Sequence, residues 1–161
     1  MTEFLIRRAG PEDLDALGHL GALLMRAHYA FDSNRFMQPG AHAEEGYASF
    51  LATQIDDPES LVLVAVRDEA VRGYVYAGVE PRSWKELRDR AGFIHDVIVD
   101  APSRRAGIAD ALLDTAIEWL RQKRLPRVIL WTASQNEQAQ RLFAKKGFRM
   151  TMHEMTLELG P

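Results

Sequence analysis

The sequence predicts a domain of the α/β class (α+β type), in which a mixed sheet of six to seven strands is flanked by about four helices. Short β-branched and apolar runs alternate with segments of helical period. The order hairpin, strand, helix, strand, helix, strand implies helices on the faces of a mixed sheet rather than a uniform βαβ series. A chain of 161 residues with 47% hydrophobic residues can build one core, so we expect a single domain spanning residues 1–161.

The first third of the chain predicts a short strand and a helix–loop–helix. Residues 5–8 have strand character, and a proline followed by two acids at residues 11–13 favours a helix start. Leucines then recur at helical spacing to about Ala30, residues 32–40 have loop composition, and a second apolar stripe ends before Asp56. We expect this helix–loop–helix to cover a cleft.

The remainder predicts most of the sheet. Residues 61–66 and 73–79 form a hairpin, and residues 93–99 form a third buried strand. A helix follows from Gly107, then a strand over residues 128–131 and a helix over residues 137–146 that Gly147 closes. Extended structure resumes at Phe148, and the late strand of residues 150–159 either closes the sheet or pairs across a homodimer.

Composition excludes several classes of protein. A net charge of −3 and a pI near 6.0 argue against nucleic acid as the main partner. The absence of cysteine excludes disulfides, thiolate metal sites and an acyl-cysteine intermediate. The histidines lack metal-ligand spacing, so we expect no metal. With neither an 18-residue apolar run nor the order of a signal peptide, we expect a soluble, cytoplasmic protein without membrane association.

Residues 104–109 have the composition of a phosphate site. They follow the strand of residues 93–99 and open a helix, where unpaired amide hydrogens and the positive end of the helix dipole attract anions. Gly107 allows close approach of a pyrophosphate, Ala109 is nearly as small, and Arg104 or Arg105 adds charge-assisted contacts.

Two motifs in this part of the chain resemble those of a known family. The pattern Arg104-x-x-Gly107-x-Ala109 resembles the Gln/Arg-x-x-Gly-x-Gly/Ala signature of the GNAT superfamily of N-acetyltransferases. A second segment, Asn136-x-x-Ala139-x-x-x-Phe143-x-x-x-Gly147-Phe148, is similar to the other core segment of that superfamily. The resemblance implies a largely antiparallel GNAT fold and transfer of an acetyl group from acetyl-CoA to a primary amine, by direct attack in a ternary complex.

The resemblance also implies where the acyl donor binds. The start of the helix at residues 105–109 would hold the coenzyme A pyrophosphate. Main-chain groups of residues 97–99 would pair with the pantetheine arm, in a cleft between their strand and the strand of residues 128–131. Residues 97–99 are equally compatible with an ordinary core strand, and Asn136 has helix capping as an alternative role. The residues implied are Val97, Ile98, Val99, Arg104, Arg105, Ala106, Gly107, Ile108, Ala109, Asn136 and Phe143.

The sequence departs from the family pattern at Phe143. Many members have tyrosine there to protonate the departing thiolate, and phenylalanine has no proton to donate. Water, Ser134 or Asn136 would have to assist, since a thiol with a pKa of about 8.5 is a fair leaving group. The alternative is a non-catalytic acyl-CoA-binding regulatory module.

The strand of residues 93–99 carries a candidate general base. Period-2 alternation predicts that His95, Val97 and Val99 share one face, with Asp96 on the other. Imidazole suits removal of the amine proton near neutral pH, so we predict His95 as the base. A buried structural histidine is the competing interpretation. Glu80 and Asp96 are the other candidate catalytic residues, adding negative potential on the acceptor side.

The helix–loop–helix supplies candidate acceptor-binding residues, namely His28, Tyr29, Asp32 and Tyr47. Aromatic and acidic side chains favour a cationic, partly apolar amine. A small metabolite, an aminoglycoside-like polyamine, a free amino acid and a peptide N-terminus all fit this description.

Overall fold

The computed structural model describes residues 3–161 as a five-stranded sheet with helices on both faces. In chain order the elements are β1 (Leu5–Arg8), a 3-10 turn (Pro11–Asp13), α1 (Leu14–Phe31), α2 (Ala43–Ile55), β2 (Ser60–Arg67), β3 (Ala70–Glu80), β4 (Ala91–Val99), a second 3-10 turn (Ala101–Ser103), α3 (Ile108–Gln122), β5 (Val128–Leu130) and α4 (Glu137–Lys145). The α/β class and the four helices predicted from sequence are confirmed.

The strands lie in the order β1-β2-β3-β4-β5. Neighbours from β1 to β4 are antiparallel, and β5 is parallel to β4. Two hydrophobic clusters pack against the sheet. The cluster on one face includes Leu17, Leu20 and Leu51 of α1 and α2, and the cluster on the other includes Leu112, Leu120 and Phe143 of α3 and α4. The expected helix–loop–helix therefore occupies one face by itself.

An ion pair with a buried carboxylate fixes the start of α1. Arg7 in β1 donates two hydrogen bonds to Asp13, at 2.7 and 2.9 Å, and Asp13 also accepts one from the Gly10 amide. The arginine hydrogen bond lowers the pKa of the Asp13 carboxyl below its ordinary value. The pair ties the edge strand to the first turn of the helix.

The predicted number of strands was too high. The sheet has five strands rather than six to seven, because residues 150–159 do not pair with another described strand. A strand requires a neighbour to satisfy its main-chain groups, and sequence alternation alone does not supply one. The segment forms no regular secondary structure, and its residues are exposed.

The predicted alternation along β4 was also wrong. The register shifts between Tyr76 and Ala77 of β3, so His95 is an extra residue in β4 at a β-bulge. Beyond the bulge the faces exchange: Val97 packs on the α3–α4 side, whereas Asp96 bonds to side chains of the α1–α2 side. His95 therefore shares a face with Asp96 and not with Val97.

Candidate active site

A cleft opens where β4 and β5 diverge. The two strands pair only over Gly92, Phe93 and Ile94, so the second half of β4 has no strand on that side among the described residues. Side chains of α1, α2, α4 and the loop after α1 complete a cavity of about 280 Å³. Its lining includes His28, Tyr47, Ile94, His95, Asp96, Val97, Leu130, Trp131, Thr132, Asn136 and Phe143.

The segment between β4 and α3 presents free amides. Arg105 and Gly107 have positive φ angles of 65° and 80°. From residue 105 to residue 110, no main-chain N–H donates a hydrogen bond to any described residue. Arg104 folds back and donates to the Val99 carbonyl at 3.3 Å. A left-handed turn followed by a 15-residue helix with unpaired N–H groups is suited to binding phosphate.

Lys146, which directly follows α4, forms an ion pair with Asp110 in the first turn of α3. The Nζ of Lys146 lies 2.9 Å from Asp110 and 2.6 Å from Asp114. The hydrogen bond from Lys146 lowers the pKa of the Asp110 carboxyl, so this group stays ionised. Because the lysine lies against it, the carboxylate repels an incoming anion less than an isolated one would.

The α4 side of the cleft has one capping residue and one unsatisfied polar group. The Asn136 Oδ1 accepts from the Ala139 amide at 3.2 Å, so this residue caps α4 and also lines the cleft. Phe143 is 7% exposed and packs edge-on against Phe148. The buried Thr132 hydroxyl has no hydrogen-bond partner among residues 3–161. An orphaned buried hydroxyl in a cleft is free to bond a ligand.

His95 is held in one orientation by its neighbours. Its Nε2 lies 3.1 Å from Glu80 Oε1, and its ring stacks between Tyr76, at 4.7 Å, and Phe93, at 5.6 Å. The side chains of His95 and Glu80 are 28% and 37% exposed, so solvent reaches both. A carboxylate at Nε2 favours the proton on that nitrogen and leaves the Nδ1 lone pair free.

Asp96 lies at the centre of a tyrosine cluster. Tyr47 and Tyr74 both donate hydrogen bonds to its Oδ2, the latter at 2.9 Å. Burial raises the pKa of Asp96, and the two hydrogen bonds oppose that rise. Burial also raises the pKa of both tyrosines, so they remain neutral donors.

Comparison with known proteins agrees with this geometry. The family model described as the acetyltransferase (GNAT) family matches residues 25–148, which is most of the chain. The chain belongs to the GNAT family of acetyltransferases. The matched region contains the cleft, the free amides of residues 105–110 and the capped start of α4. No curated protein matches the chain.

Solved structures share this GNAT fold over nearly their whole length. A mutant of the BH1408 protein from Bacillus halodurans has a TM-score of 0.83 at 22% identity, covering 96% of this chain and 99% of its own. A probable acetyltransferase has a TM-score of 0.71 at 27% identity, covering 98% and 99%. A predicted acetyltransferase from Clostridium acetobutylicum, solved with acetyl-CoA, has a TM-score of 0.71 at 16% identity, covering 98% and 97%.

The structure brings together only part of the predicted acceptor set. His28 and Tyr47 line the GNAT cleft, and the His28 Nδ1 bonds to the Leu24 carbonyl at 2.9 Å. Tyr29 is not among the lining residues, and Asp32 accepts from the amides of residues 34 and 35 in the turn after α1. The predicted proton source Ser134 instead donates to Gln135 at 2.9 Å.

Sequence reasoning missed several residues of the cleft. Trp131 is 74% exposed and meets Phe93 edge-on, while Phe36 and Met37 reach the cleft from the loop after α1. The position of Trp131 depends on where β5 stops pairing, and the positions of Phe36 and Met37 depend on how the loop after α1 folds back. The one sequence feature that could have indicated a cleft residue was a tryptophan directly after a short apolar run.

Among the described residues, no helix is long and apolar enough to span a membrane. Within the same residues, no three histidine, cysteine or acidic side chains lie close enough together to hold a metal ion.

The raised pKa of Asp96 predicts how stability depends on pH. Because folding raises this pKa, protonation of Asp96 stabilises the folded state. The stabilisation is complete below the ordinary aspartate pKa of about 3.9 and is lost as the pH rises through the pKa of the folded protein. Between these two pKa values, we expect the free energy of unfolding of wild type to fall relative to that of Asp96→Asn. Urea unfolding of both proteins from pH 4 to pH 8 measures it, and parallel profiles would contradict the assignment.

Proposed function

We propose that this GNAT protein moves an acetyl group from acetyl-CoA to a primary amine by direct attack in a ternary complex. The observation that carries the proposal is the divergence of β4 from β5 after Ile94, which opens a cleft lined by Val97, together with the free amides of residues 105–110 that follow the same strand along the chain. A neighbour of the same fold, aminoglycoside N-acetyltransferase AAC(6')-Iy, was solved with CoA at a TM-score of 0.75 and 14% identity, covering 98% of this chain and 95% of its own.

Acetyl-CoA would bind along the second half of β4. Residues 105–109 would hold the pyrophosphate through main-chain N–H groups, assisted by Arg104 and Arg105. Val97, Ile98 and Val99 would present main-chain groups to the pantetheine arm, and Asn136 and Phe143 would form the opposite wall. Two kinds of unsatisfied donor, the free amides and the Thr132 hydroxyl, support this fit.

The acceptor amine must lose a proton before it attacks. In the proposed mechanism Glu80 keeps the His95 Nε2 protonated, and Nδ1 takes the amine proton directly or through water. The amine nitrogen forms a bond to the thioester carbonyl carbon, the carbon–sulfur bond breaks, and coenzyme A leaves as a thiolate. The nitrogen loses its second proton as the amide forms, and the thiolate takes up that proton through water. The chain has no cysteine, which agrees with transfer in one step.

The acceptor side of the cleft carries the carboxylate of Glu80 beside His95. A second cavity of about 230 Å³ next to His95 is lined by Glu80, Glu86, Arg88 and Trp131. With His28 and Tyr47 nearby, these groups favour a cationic amine that has an apolar portion. Tyr29 and Asp32 would contact such an acceptor only if it extended beyond the cleft.

We propose that Thr132 donates a hydrogen bond to the departing thiolate, because its unsatisfied hydroxyl belongs to a residue that lines the cleft. Thr132→Val keeps the shape of the side chain and removes the hydroxyl. We expect kcat to fall by about tenfold with little change in the Kd for coenzyme A, because the loss of a donor at a developing charge acts mainly on the transition state. Steady-state kinetics and calorimetry measure the two quantities, and an unchanged kcat would remove Thr132 from the mechanism.

A panel assay tests the proposal as a whole. Acetyl-CoA consumption is followed over diamines, aminoglycosides, amino acids and peptides, and coenzyme A binding is measured by calorimetry in parallel. We expect turnover with at least one cationic amine and no acetylated protein when acetyl-CoA is added alone. Acetylated protein formed without acceptor would contradict direct attack.

A non-catalytic acyl-CoA-binding regulatory module is the second candidate function. Phe143 favours it, since the position lines the cleft and carries no proton donor. This candidate predicts coenzyme A binding, no turnover over the whole panel, and the same acetyl-CoA affinity in wild type and His95→Gln.

A further inference from the structure

The first turn of α3 contains a carboxylate close to where an anion would bind. Gly107 is the N-cap of α3, and Asp110 is its third helical residue. An acidic side chain at this position can fold back and accept a hydrogen bond from the N-cap amide. It also interacts with the positive end of the helix dipole, so it competes with a phosphate for the same groups. Asp110 therefore opposes anion binding unless its side chain is held elsewhere.

A second helix start in the chain shows the competing arrangement. Gly10 and Asp13 have the same spacing as Gly107 and Asp110, and Gly10 is the N-cap of the turn that leads into α1. There Asp13 accepts a hydrogen bond from the Gly10 amide at 2.9 Å. At α3 the Gly107 amide donates to no residue within 3–161, and Gly107 is left-handed where Gly10 is extended. The amides of α3 are thus free although an acid lies three residues away.

Lysine side chains hold the Asp110 carboxylate on the α4 side. The Nζ of Lys146 lies 2.9 Å from Oδ2, and the Nζ of Lys145 lies 3.6 Å from Oδ1. Lys146 is the C-cap of α4, its main-chain N–H donates to the Phe143 carbonyl at 3.0 Å, and its side chain is 13% exposed. The buried Oδ1 accepts no hydrogen bond from residues 3–161. This carboxylate oxygen lacks a donor while the amides of the same turn lack an acceptor.

We propose that Lys146 is a positioning residue for coenzyme A, because it keeps the Asp110 carboxylate away from the free amides of residues 105–110 and offsets its charge. The inference rests on the proposed function, since it takes the phosphates of coenzyme A to be the anion bound there. Without Lys146, the carboxylate would repel the phosphates and compete with them for the amides. Asp114 also accepts from Lys146, at 2.6 Å, but it lies four residues further along α3.

Removal of the lysine, with and without the acid, tests the inference. Lys146→Met keeps an unbranched side chain and removes the charge. We expect the Kd for coenzyme A to weaken by about tenfold in Lys146→Met and to return to within about twofold of wild type in Lys146→Met/Asp110→Asn. Asp110→Asn alone should bind as tightly as wild type or more tightly. Isothermal calorimetry below the melting temperature of every variant measures each Kd.

Asp114 provides the matched control. Lys146→Met/Asp114→Asn has the same net charge as the variant in which affinity is restored, and it also removes a partner of Lys146. It should bind as weakly as Lys146→Met, because Asp110 would still compete for the amides. Equal restoration by both double variants would show that net charge alone matters and would overturn the positioning role. A loss of affinity that Asp110→Asn does not restore would overturn it as well.

Inorganic pyrophosphate, as a second probe, separates this inference from the proposed function. If wild type binds coenzyme A and Lys146→Met leaves the Kd unchanged, the inference is overturned and the acetyl-CoA site stands. If wild type binds pyrophosphate but not coenzyme A, the proposed function is contradicted, and the same loss and restoration with pyrophosphate would support the role of Lys146. Binding of neither probe overturns both.

Discussion

Replacing His95 by glutamine is expected to lower kcat/KM by about a hundredfold to ten-thousandfold, equivalent to about 3 to 5 kcal/mol of transition-state stabilisation. Glutamine keeps a polar side chain of similar length between Tyr76 and Phe93, so the cleft should retain its shape. Because the free amides of residues 105–110 are untouched, the Kd for coenzyme A should change little.

The chain offers a matched control for this substitution. His19 of α1 pairs with Glu44 of α2 at 3.2 Å, so it is another histidine beside a glutamate, but it does not line the cleft. His19→Gln should leave kcat/KM and its pH profile unchanged. Glu80→Gln should give a smaller loss than His95→Gln, because the ring stays in place and loses only the carboxylate that contacts its Nε2. Near-full activity in His95→Gln would make His95 a structural residue and Asp96 the next base to test.

Replacing Gly107 by valine is expected to weaken coenzyme A binding by about a hundredfold, or about 2.7 kcal/mol. Gly107 has φ +80°, and a Cβ added there would meet no described atom within 4 Å. The new side chain would therefore enter the open space in front of the free amides rather than clash with the protein. A β-branched residue also resists the left-handed conformation, by about 1 to 2 kcal/mol, and tends to turn the amides away. Isothermal calorimetry with coenzyme A measures the effect.

Gly147 provides the control for backbone strain. It also has positive φ, at +95°, with open space around an added Cβ, but it follows α4 instead of opening α3. Gly147→Val should lower the melting temperature about as much as Gly107→Val and leave the Kd for coenzyme A close to wild type. Equal loss of affinity in both variants would show that strain alone causes the effect and would remove residues 105–109 from the donor site.

The features that the sequence predicted well depend on residues close together in the chain. The proline and acids before α1, the apolar stripe of α3 and the glycine that opens α3 act within one or two helical turns, so their pattern can be read directly. The same holds for Asn136, whose capping of α4 was one of two roles expected for it. The two motifs that resemble those of the GNAT family are likewise short segments of neighbouring residues.

The geometry of the candidate site depended on pairings that no local pattern encodes. Whether the side chains of β4 alternate between the two faces of the sheet depends on the register of β3 against β4. The bulge at His95 placed this residue on the same face as Asp96 rather than on the face of Val97. The contact between His95 and Glu80 spans 15 positions, and that between Tyr47 and Asp96 spans 49.

The sequence by itself determined the class of fold, the glycine turn that opens α3 and the family, because helix starts, left-handed glycines and short motifs are properties of neighbouring residues. Only the tertiary structure decided which side chains meet in the cleft. It also decided that, within residues 3–161, no strand pairs with the outer edge of β5 or with residues 150–159. Alternation shows that a segment can form a strand. Whether it does depends on a partner edge, and the position of that edge is set by the packing of the whole sheet.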